Sequence, residues 1–353
     1  MARTAKDALR LTYAKSGVNS RARARSLTPL LAAVTYRPPR SHGRALGPPG
    51  HYAGLIRIGR ETIAITTDTV GTKVLLAEQL GRYEEIGEDA VAINVNDLAA
   101  VGARAAGLVD VINCARPEPK TFAALGRGIN RGLAAAQCAL LGGETAVVPS
   151  LLKAIDVGGT AIGFFPDGRR PITGDRIRTG DRILGIPSAG FHANGYTLLR
   201  ALIRRKGLDL RRPRPGARLP LGVELLRPTR TYCRATEAVA DSPHVRGFAH
   251  ITGGGVRNLL RLNARVAYVL DRWPDLAGAF AWVRDLGEIE DRELFQTFNM
   301  GIGFAVVVAR PGVGPTLRSL ARAGFGDAVE IGRIAPGKGV QLPSWGLSYS
   351  EYS

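Results

Sequence analysis

The sequence predicts a two-domain protein of the α/β or α+β class. Three observations lead there. The length, 353 residues, exceeds the usual span of one domain. Strand and helix patterns interleave along the chain. A Pro/Gly-rich stretch at residues 166–181, "PDGRRPITGDRIRTGD", is followed by a fresh start of the same alternation. The implied domains are residues 1–168 and 169–345, the second a mixed sheet with helices. Hydrophobic residues at 45% and charged residues at 22% suit a folded globular chain, so disorder is not the default.

The first fifty or so residues end in "RPPRSHGRALGPPGHYAGLI". The proline and glycine content of that stretch predicts a long loop, flexible or covering a ligand, with no regular element, and order is expected to begin after it. "LIRIGRETIAITTD" alternates as a hairpin whose second strand ends at Asp68. "KVLLAEQLG" is a short helix stopped by Gly81. "EDAVAINVNDLAAVGA" has apolar residues at helical spacing; seven or eight residues make about two turns, so Asp89, Asn96 and Asp97 fall on one face. "GLVDVINC" reads as a buried strand and "KTFAALGRGINRGLAAAQC" as a helix of small residues. "CALLGGETAVV" reads as a strand and a tight turn leading to Glu144, and "AIDVGGTAIGFF" as a closing strand. In the second half, "RILGIPSAG" is a strand, "NGYTLLRALIRRKG" a helix, and "RTYCRATEAVA" a helical segment. "MGIGFAVVVA" is a strand, "GPTLRSLARAG" a helix with Gly324 just past its end, and "DAVEIGRI" the final strand.

The formal net charge is +18. Such an excess suits nucleic acid, an anionic membrane surface or phosphorylated small molecules. Residues 1–60 carry twelve Lys/Arg against the single acid Asp7, and a second basic cluster runs from Arg200 to Arg218. Neither cluster has the interleaved aromatics of a single-strand binder, and a solvated basic surface accounts for both. The three cysteines lack C-x-x-C spacing, which argues against a zinc site or a disulfide framework. No apolar run reaches the ~18 residues of a membrane span, and the N-terminus lacks a signal-peptide centre, so a cytoplasmic protein is expected.

Several polar, glycine-flanked stretches carry the chemistry. "TTDTVGTK" has the glycine, threonine and lysine of a Walker A loop in the wrong order. Its Asp68, at a strand end beside Gly71, suits a magnesium ligand, or equally an aspartate closing a turn. Asn94, Asn96 and Asp97 interrupt an apolar helix, and so either line a cavity or ion site or bond to a neighbouring loop. Glu144 follows two glycines that allow close backbone approach. "SAGFHANGYTLL" and "HITGGGVRNLL" each lead from glycine into a predicted helix, a geometry that favours an anion. His192 and His250 stand beside these turns, where an imidazole donates a hydrogen bond or shuttles a proton. His42 and His51 are assigned no chemistry, and His244 reads as surface. No G-x-S-x-G elbow, H-E-x-x-H motif or Rossmann fingerprint is present.

In order and spacing, "TDTVGTK", "IGEDAVAINVNDLAAVGA", "LLGGETA", "SAGFHANGYTLLR", "AHITGGGVRNLL" and "TFNMGIG" resemble the aminoimidazole ribonucleotide synthetase, or phosphoribosylformylglycinamidine cyclo-ligase, family, in an archaeal-like form. The resemblance runs from about residue 11 to Ile334. It implies an N-terminal α/β domain that builds a β-barrel across a homodimer and a C-terminal α/β domain, with ATP and substrate between them. It further implies a C–N bond-forming ligase of purine biosynthesis. ATP would phosphorylate the amide oxygen of formylglycinamidine ribonucleotide, and an internal nitrogen would then close the imidazole ring. On this resemblance Asp68, Asp97 and Glu144 bind or face Mg²⁺, while Asp68, Lys73 and His250 are catalytic. Gly71, Thr72, Asn96, Gly143, His192, Asn194, Gly195, Gly253 and Gly254 contact ATP or its phosphates.

Thr69 replaces a family glycine, and would be strained there if φ were positive. No lysine lies between Lys15 and Lys73 to match the nucleotide-covering lysine of bacterial forms. The competing readings are a thiamine-phosphate kinase or selenophosphate synthetase of the same superfamily and, from another class, a basic nucleic-acid-binding protein. The first cysteine, Cys114, is too late for the reactive residue of a selenophosphate synthetase, and "TFNMGIG" does not belong to the kinase.

Overall fold

The computed structural model describes residues 10–36, 38–47 and 50–352. Two sheets divide the chain. Six strands make the first: β1 (Arg44–Leu46), β2 (Gly54–Ile58), β3 (Glu61–Thr69), β4 (Arg104–Cys114), β5 (Ala139–Val147) and β6 (Asp156–Phe164), in spatial order β1-β2-β3-β6-β4-β5. All neighbours are antiparallel except β4 and β5, which are joined through the helix Pro119–Ala136 and run parallel, as such a crossover requires. Seven strands make the second: β7 (Arg182–Pro187), β8 (Val245–His250), β9 (Ala267–Val269), β10 (Ile302–Val308), β11 (Val329–Ala335), β12 (Gly339–Leu342) and β13 (Leu347–Tyr349). Their order is β13-β12-β9-β11-β7-β10-β8. Both sheets are mixed and open; no barrel closes among the described residues.

The helix Glu84–Ala99 is the hub of the first half. Every residue from Ile86 to Ala99 is buried except Glu88, because the helix lies between β3, β6 and the helix Pro119–Ala136. Glycine sets the approach of the two helices. A Cβ on Gly128 would stand 1.9 Å from the Glu84 carbonyl oxygen, and one on Gly87 would stand 2.2 Å from that of Leu125. At the solvent edge of this contact Arg127 and Arg131 pair with Glu84 and Glu88.

Side chains alternate across β3, β6 and β4. Ala64, Leu108 and Ala161 point to the helix-covered face and are fully buried, whereas Ile65, Val109, Val111 and Phe164 stand exposed on the other face. Strand β5, at the edge, is exposed along nearly its whole length.

Four expectations are corrected. The N-terminal region holds a helix, Ser20–Ala33, capped by the Asn19 side chain, and β1 lies within the stretch expected to have no regular element. Residues 139–147 form one strand with no tight turn before Glu144. The triple glycine leads into a 3₁₀ helix, Gly255–Arg261. Finally, β11 is not the last strand: β12 and β13 follow and extend the second sheet to Tyr349, beyond residue 345. Thr69 lies extended at the end of β3 without positive φ, so replacing glycine there stores no strain.

A Gly128→Ala variant forces apart two helices in backbone contact. Urea denaturation is expected to show a loss of about 2–3 kcal/mol, whereas Gly126→Ala, with open space at its Cβ, is expected to be neutral or stabilising.

Candidate functional site

Three polar residues of the helix Glu84–Ala99, namely Asp89, Asn96 and Asp97, face the second half of the chain, whereas Asn94 donates to the Asp68 and Ala90 carbonyls within the first. Asp89 Oδ1 accepts hydrogen bonds from the backbone N–H of Thr229 at 2.8 Å and from its hydroxyl at 2.5 Å. Two turns on, Asn96 donates to the Arg230 carbonyl at 2.9 Å and accepts from the Tyr232 N–H at 2.8 Å. One residue further, Asp97 Oδ1 lies 2.8 Å from Nδ1 of His250, at the end of β8. The periodicity that put Asp89, Asn96 and Asp97 on one face thus has a tertiary purpose: that face bonds to the segment 229–232 and to His250.

Lys73 completes this contact and takes no part in an open site. It is fully buried, with Nζ 2.6 Å from Asp89 Oδ2 and donating to the Arg227 carbonyl at 2.8 Å. Burial lowers its pKa, and the Asp89 carboxylate opposes that shift. The expectation that Lys73 balances phosphate charge is corrected, because its charge is already neutralised in the interior. Asn96 is likewise occupied by backbone groups. Thr72 bonds Thr197 through its hydroxyl at 2.9 Å. Gly71 takes the left-handed turn into the 3₁₀ start of the next helix.

The acidic pair is Asp68 and Asp97. Asp68 still reaches solvent, but the protein around it desolvates the carboxyl; that burial, then the charge of Asp97, raises its pKa to about 6. The Thr69 N–H, donating at 2.8 Å, holds it in place. Arg261 and His250 lie close enough to oppose the shift. Arg261 is sandwiched between two rings, its guanidinium 5.0 Å from the centre of Tyr52 and 4.5 Å from that of Tyr352.

Glu144 does not join them. Strand register aligns Asp68 with Gly159, Asp110 and Gly143 across β3, β6, β4 and β5. Glu144, one residue on and opposite Val111, therefore points to the other, open face of the sheet. The carboxylate that shares a face with Asp68 is Asp110, two strands or about 10 Å away, with burial raising its pKa. Gly143 makes room for it: a Cβ there would strike the Asp110 carboxylate at 2.2 Å. Among the described residues no three His, Cys, Asp or Glu side chains converge closely enough to hold a metal by themselves.

The imidazoles have different fates. His250 is 1% exposed. A carboxylate only accepts, so Nδ1 carries the proton toward Asp97, and Nε2 is left a buried lone pair with no hydrogen-bond partner among the described residues. His192 is fully buried, and burial pushes its pKa well below the ordinary value. Its Nε2 accepts from the Ala189 N–H at 3.3 Å, so it is a neutral prop for its own turn, and the expected phosphate contact is corrected. Gly195 is required by packing, since a Cβ would meet the Phe298 ring at 2.1 Å. Of the expected phosphate set, Asn194, Gly253 and Gly254 line one cavity of about 560 Å³, and Asn194 donates to the Thr252 hydroxyl at 2.7 Å.

Sequence reasoning missed Arg261, Asp110 and His51. His51 bonds the Thr173 carbonyl at 3.2 Å, and burial lowers its pKa. Asp110 carried a signal as a lone acid on the apolar-facing register of a strand. Arg261 and His51 carried none, because what identifies them is a neighbour more than a hundred residues away.

Two mixed sheets with helices, and a carboxylate pair meeting an imidazole between them, define a two-domain α/β protein with a carboxylate–imidazole cluster where its halves meet. Family models described as AIR synthase related protein, N-terminal domain, and AIR synthase related protein, C-terminal domain, match residues 50–165 and 178–343. A protein of Thermococcus kodakarensis named phosphoribosylformylglycinamidine cyclo-ligase is 39% identical over 342 residues, covering 96% of this chain and 99% of its own length. One of the same name from Methanothermobacter thermautotrophicus is 41% identical over 273 residues, covering 77% and 80%. The chain belongs to this phosphoribosylformylglycinamidine cyclo-ligase, or AIR synthase, family. Among solved structures, AaThiL complexed with AMPPCP and TMP superposes with a TM-score of 0.64 at 18% identity over 90% of this chain and 91% of that one. The hydrogenase maturation protein HypE of E. coli gives 0.59 at 19% over 81% and 84%. Those two likenesses establish a shared fold.

Two outcomes follow from these environments. Lys73→Met leaves Asp89 buried without its cation, and thermal or urea unfolding is expected to show a loss of about 3–5 kcal/mol; a raised ATP KM at unchanged stability would instead return Lys73 to a phosphate role. Asp68, with its folded pKa raised from 3.8 to about 6, contributes stability that is complete below pH 4 and lost as pH rises through 6. Asp68→Asn is therefore expected to stabilise the fold above pH 6, on the order of 1 kcal/mol once solvent screening is allowed for, and to have little effect below pH 4.

Proposed function

We propose that the cleft between the two sheets catalyses the ATP-dependent closure of formylglycinamidine ribonucleotide to 5-aminoimidazole ribonucleotide, releasing ADP and phosphate. One observation carries the reading: Asp97 and His250 bond across the domain junction beside Asp68, in a chain that matches curated cyclo-ligases along almost its full length. AaThiL and HypE share only the fold, so their activities are not carried over.

The chemistry asks for two things. The amide oxygen of the substrate attacks the γ-phosphorus of ATP and ADP leaves, so dense negative charge must be held in line with a weak nucleophile. An internal nitrogen then attacks the activated carbon, phosphate departs with the former amide oxygen, and the nitrogen sheds a proton. His250 suits that last task. With Nδ1–H fixed on Asp97, its Nε2 is a lone pair able to take the proton, and the neighbouring carboxylate stabilises the imidazolium that forms.

Asp68 and Asp97 would hold Mg²⁺. Two carboxylates, Asp97 raising the pKa of Asp68, with no third acid converging on them among the described residues, fit an ion that takes its remaining oxygens from phosphates and water. When bound, the ion neutralises phosphate charge and aligns the γ-phosphoryl group. Asp68 must be ionised to serve, so a pKa near 6 gives activity a limb that rises from pH 5 to 7.

A homodimer completes the proposal. The exposed face bearing Ile65, Val109, Val111 and Phe164 is contiguous with the unpaired edge of β5. An apolar sheet face and a bare strand edge together suit a second copy whose sheet closes an interfacial barrel. The division into domains near residues 168 and 169 agrees with the break between β6 and β7. No helix among the described residues is long and apolar enough to cross a membrane, and a cytoplasmic setting follows from the purine-biosynthetic role.

The direct test is ADP release dependent on formylglycinamidine ribonucleotide and Mg²⁺; turnover with thiamine phosphate or selenide instead would overturn the reading. Asp97→Asn and His250→Ala are each expected to lower kcat by more than about tenfold with the circular dichroism spectrum unchanged. Val109→Glu is expected to turn a sedimenting dimer into monomers; a monomeric wild type removes the barrel from the proposal.

A further inference from the structure

Both ends of the chain wall the cavity of about 560 Å³ that includes Asn194, Gly253 and Gly254. The N-terminal arm is pinned to the helix Asp291–Thr297 and its approach. Leu11 N–H donates to the Glu288 carbonyl at 2.9 Å, Tyr13 N–H donates to Glu293 Oε1 at 2.8 Å, and Arg10 pairs with Glu290. From the other side comes the tail after β13. The Tyr349 hydroxyl donates to the Arg292 carbonyl at 2.9 Å, and Tyr352 lies against Arg261 and accepts a hydrogen bond from it. The tail also covers the triple glycine. Gly254, at φ +129°, would place a Cβ only 3.3 Å from the Tyr352 ring, so the bare glycine lets the tail lie flat there.

The charge inside is unbalanced. Arg257 is half-buried, has its pKa lowered by burial, and makes no ion pair among the described residues; its bonds are to the Gly254 and Gln296 carbonyls at 3.3 and 3.2 Å. Arg23, from the N-terminal helix, also lines the cavity and makes no ion pair among the described residues. Of the two acids present, Glu293 is engaged by Tyr13 and by Gln296, and Glu351 stands exposed at the rim. A half-buried guanidinium that no carboxylate contacts among the described residues, since nearby Glu293 is committed to Tyr13 and Gln296, stands beside the glycine turn and is a site short of one anion.

Building on the reading above, we infer that this cavity seats the 5′-phosphate of the ribonucleotide substrate on Arg257 and Arg23, and that the tail Ser350–Tyr352 is its lid. The acidic pair would then act on the formyl-bearing end of the same molecule. The tail joins the two ends physically, because Tyr352 packs on Arg261, whose guanidinium neighbours Asp68 and Asp97.

The test uses the full chain with ribose 5-phosphate as the probe in calorimetry, and the ribonucleotide and ATP in turnover. Arg257→Ala is expected to weaken ribose 5-phosphate binding and raise the ribonucleotide KM by about tenfold or more, with kcat and the ATP KM within about twofold. Arg23→Ala, on an exposed helix where folding is not at stake, and a chain ending at Tyr349 are expected to move the same two quantities by about three- to tenfold. Unchanged probe affinity and ribonucleotide KM in Arg257→Ala and Arg23→Ala, or a rise confined to the ATP KM, would overturn the assignment. The calorimetric arm needs no turnover: a wild type that binds ribose 5-phosphate through Arg257 and forms no imidazole keeps this site and removes the cyclo-ligase reading.

Discussion

The structure depends on one constraint: the carboxylates and the amide that the helix Glu84–Ala99 turns toward the second half, Asp89, Asn96 and Asp97, must find partners there. A buried carboxylate or amide is costly unless hydrogen-bonded, and in a low-dielectric interior its partners are fixed in direction as well as in number. Asp89, Asn96 and Asp97 meet that demand through Lys73, through the backbone of residues 229–232, and through His250. Hydrophobic burial alone would let the halves slide; this row of bonds admits one docking. The site is built by the same contact, since the last bond of the row is the Asp97–His250 pair.

That economy explains why a lysine in a phosphate-loop-like stretch contacts no open cleft. Lys73 sits one turn from Asp68, yet its side chain runs inward to Asp89 and the Arg227 carbonyl. Its charge is taken up by Asp89 within the first half, and its bond to the Arg227 carbonyl reaches the second. In a chain of net charge +18 the carboxylates Asp68 and Asp97 lie together where the halves meet, whereas the basic residues lie mainly at the surface and at the cavity between the chain ends. The positive excess thus divides between solvated arginines, many of them paired with surface acids, and a few guanidiniums with no acid to face.

The fold is shared with AaThiL and HypE at less than 20% identity, so what distinguishes this chain lies in side chains grafted on a common frame. The glycines belong to the frame. Gly87 and Gly128 let two helices touch, Gly143 admits Asp110, and Gly195 admits Phe298. These are packing demands, and they account for several glycines that a motif reading assigns to phosphate.

The sequence by itself determined the class, the family and most elements, because hydrophobic period, helix stops and the order of six motifs are local or additive properties. It also placed Asp89, Asn96 and Asp97 on one helical face, since helical geometry fixes that without any neighbour. Tertiary structure decided what each polar residue does. Glu144 stands near the proposed metal site in motif order, yet strand register turns it to the opposite face; Lys73, Asn96 and His192 look like ligand contacts, yet burial commits them to the protein's own groups. Arg261, sandwiched between Tyr52 and Tyr352, had no local signature at all. The physical reason is the same in each case: propensity and period are set by residues a few positions apart, whereas charge, desolvation and hydrogen-bond satisfaction are set by whatever the folded chain brings alongside.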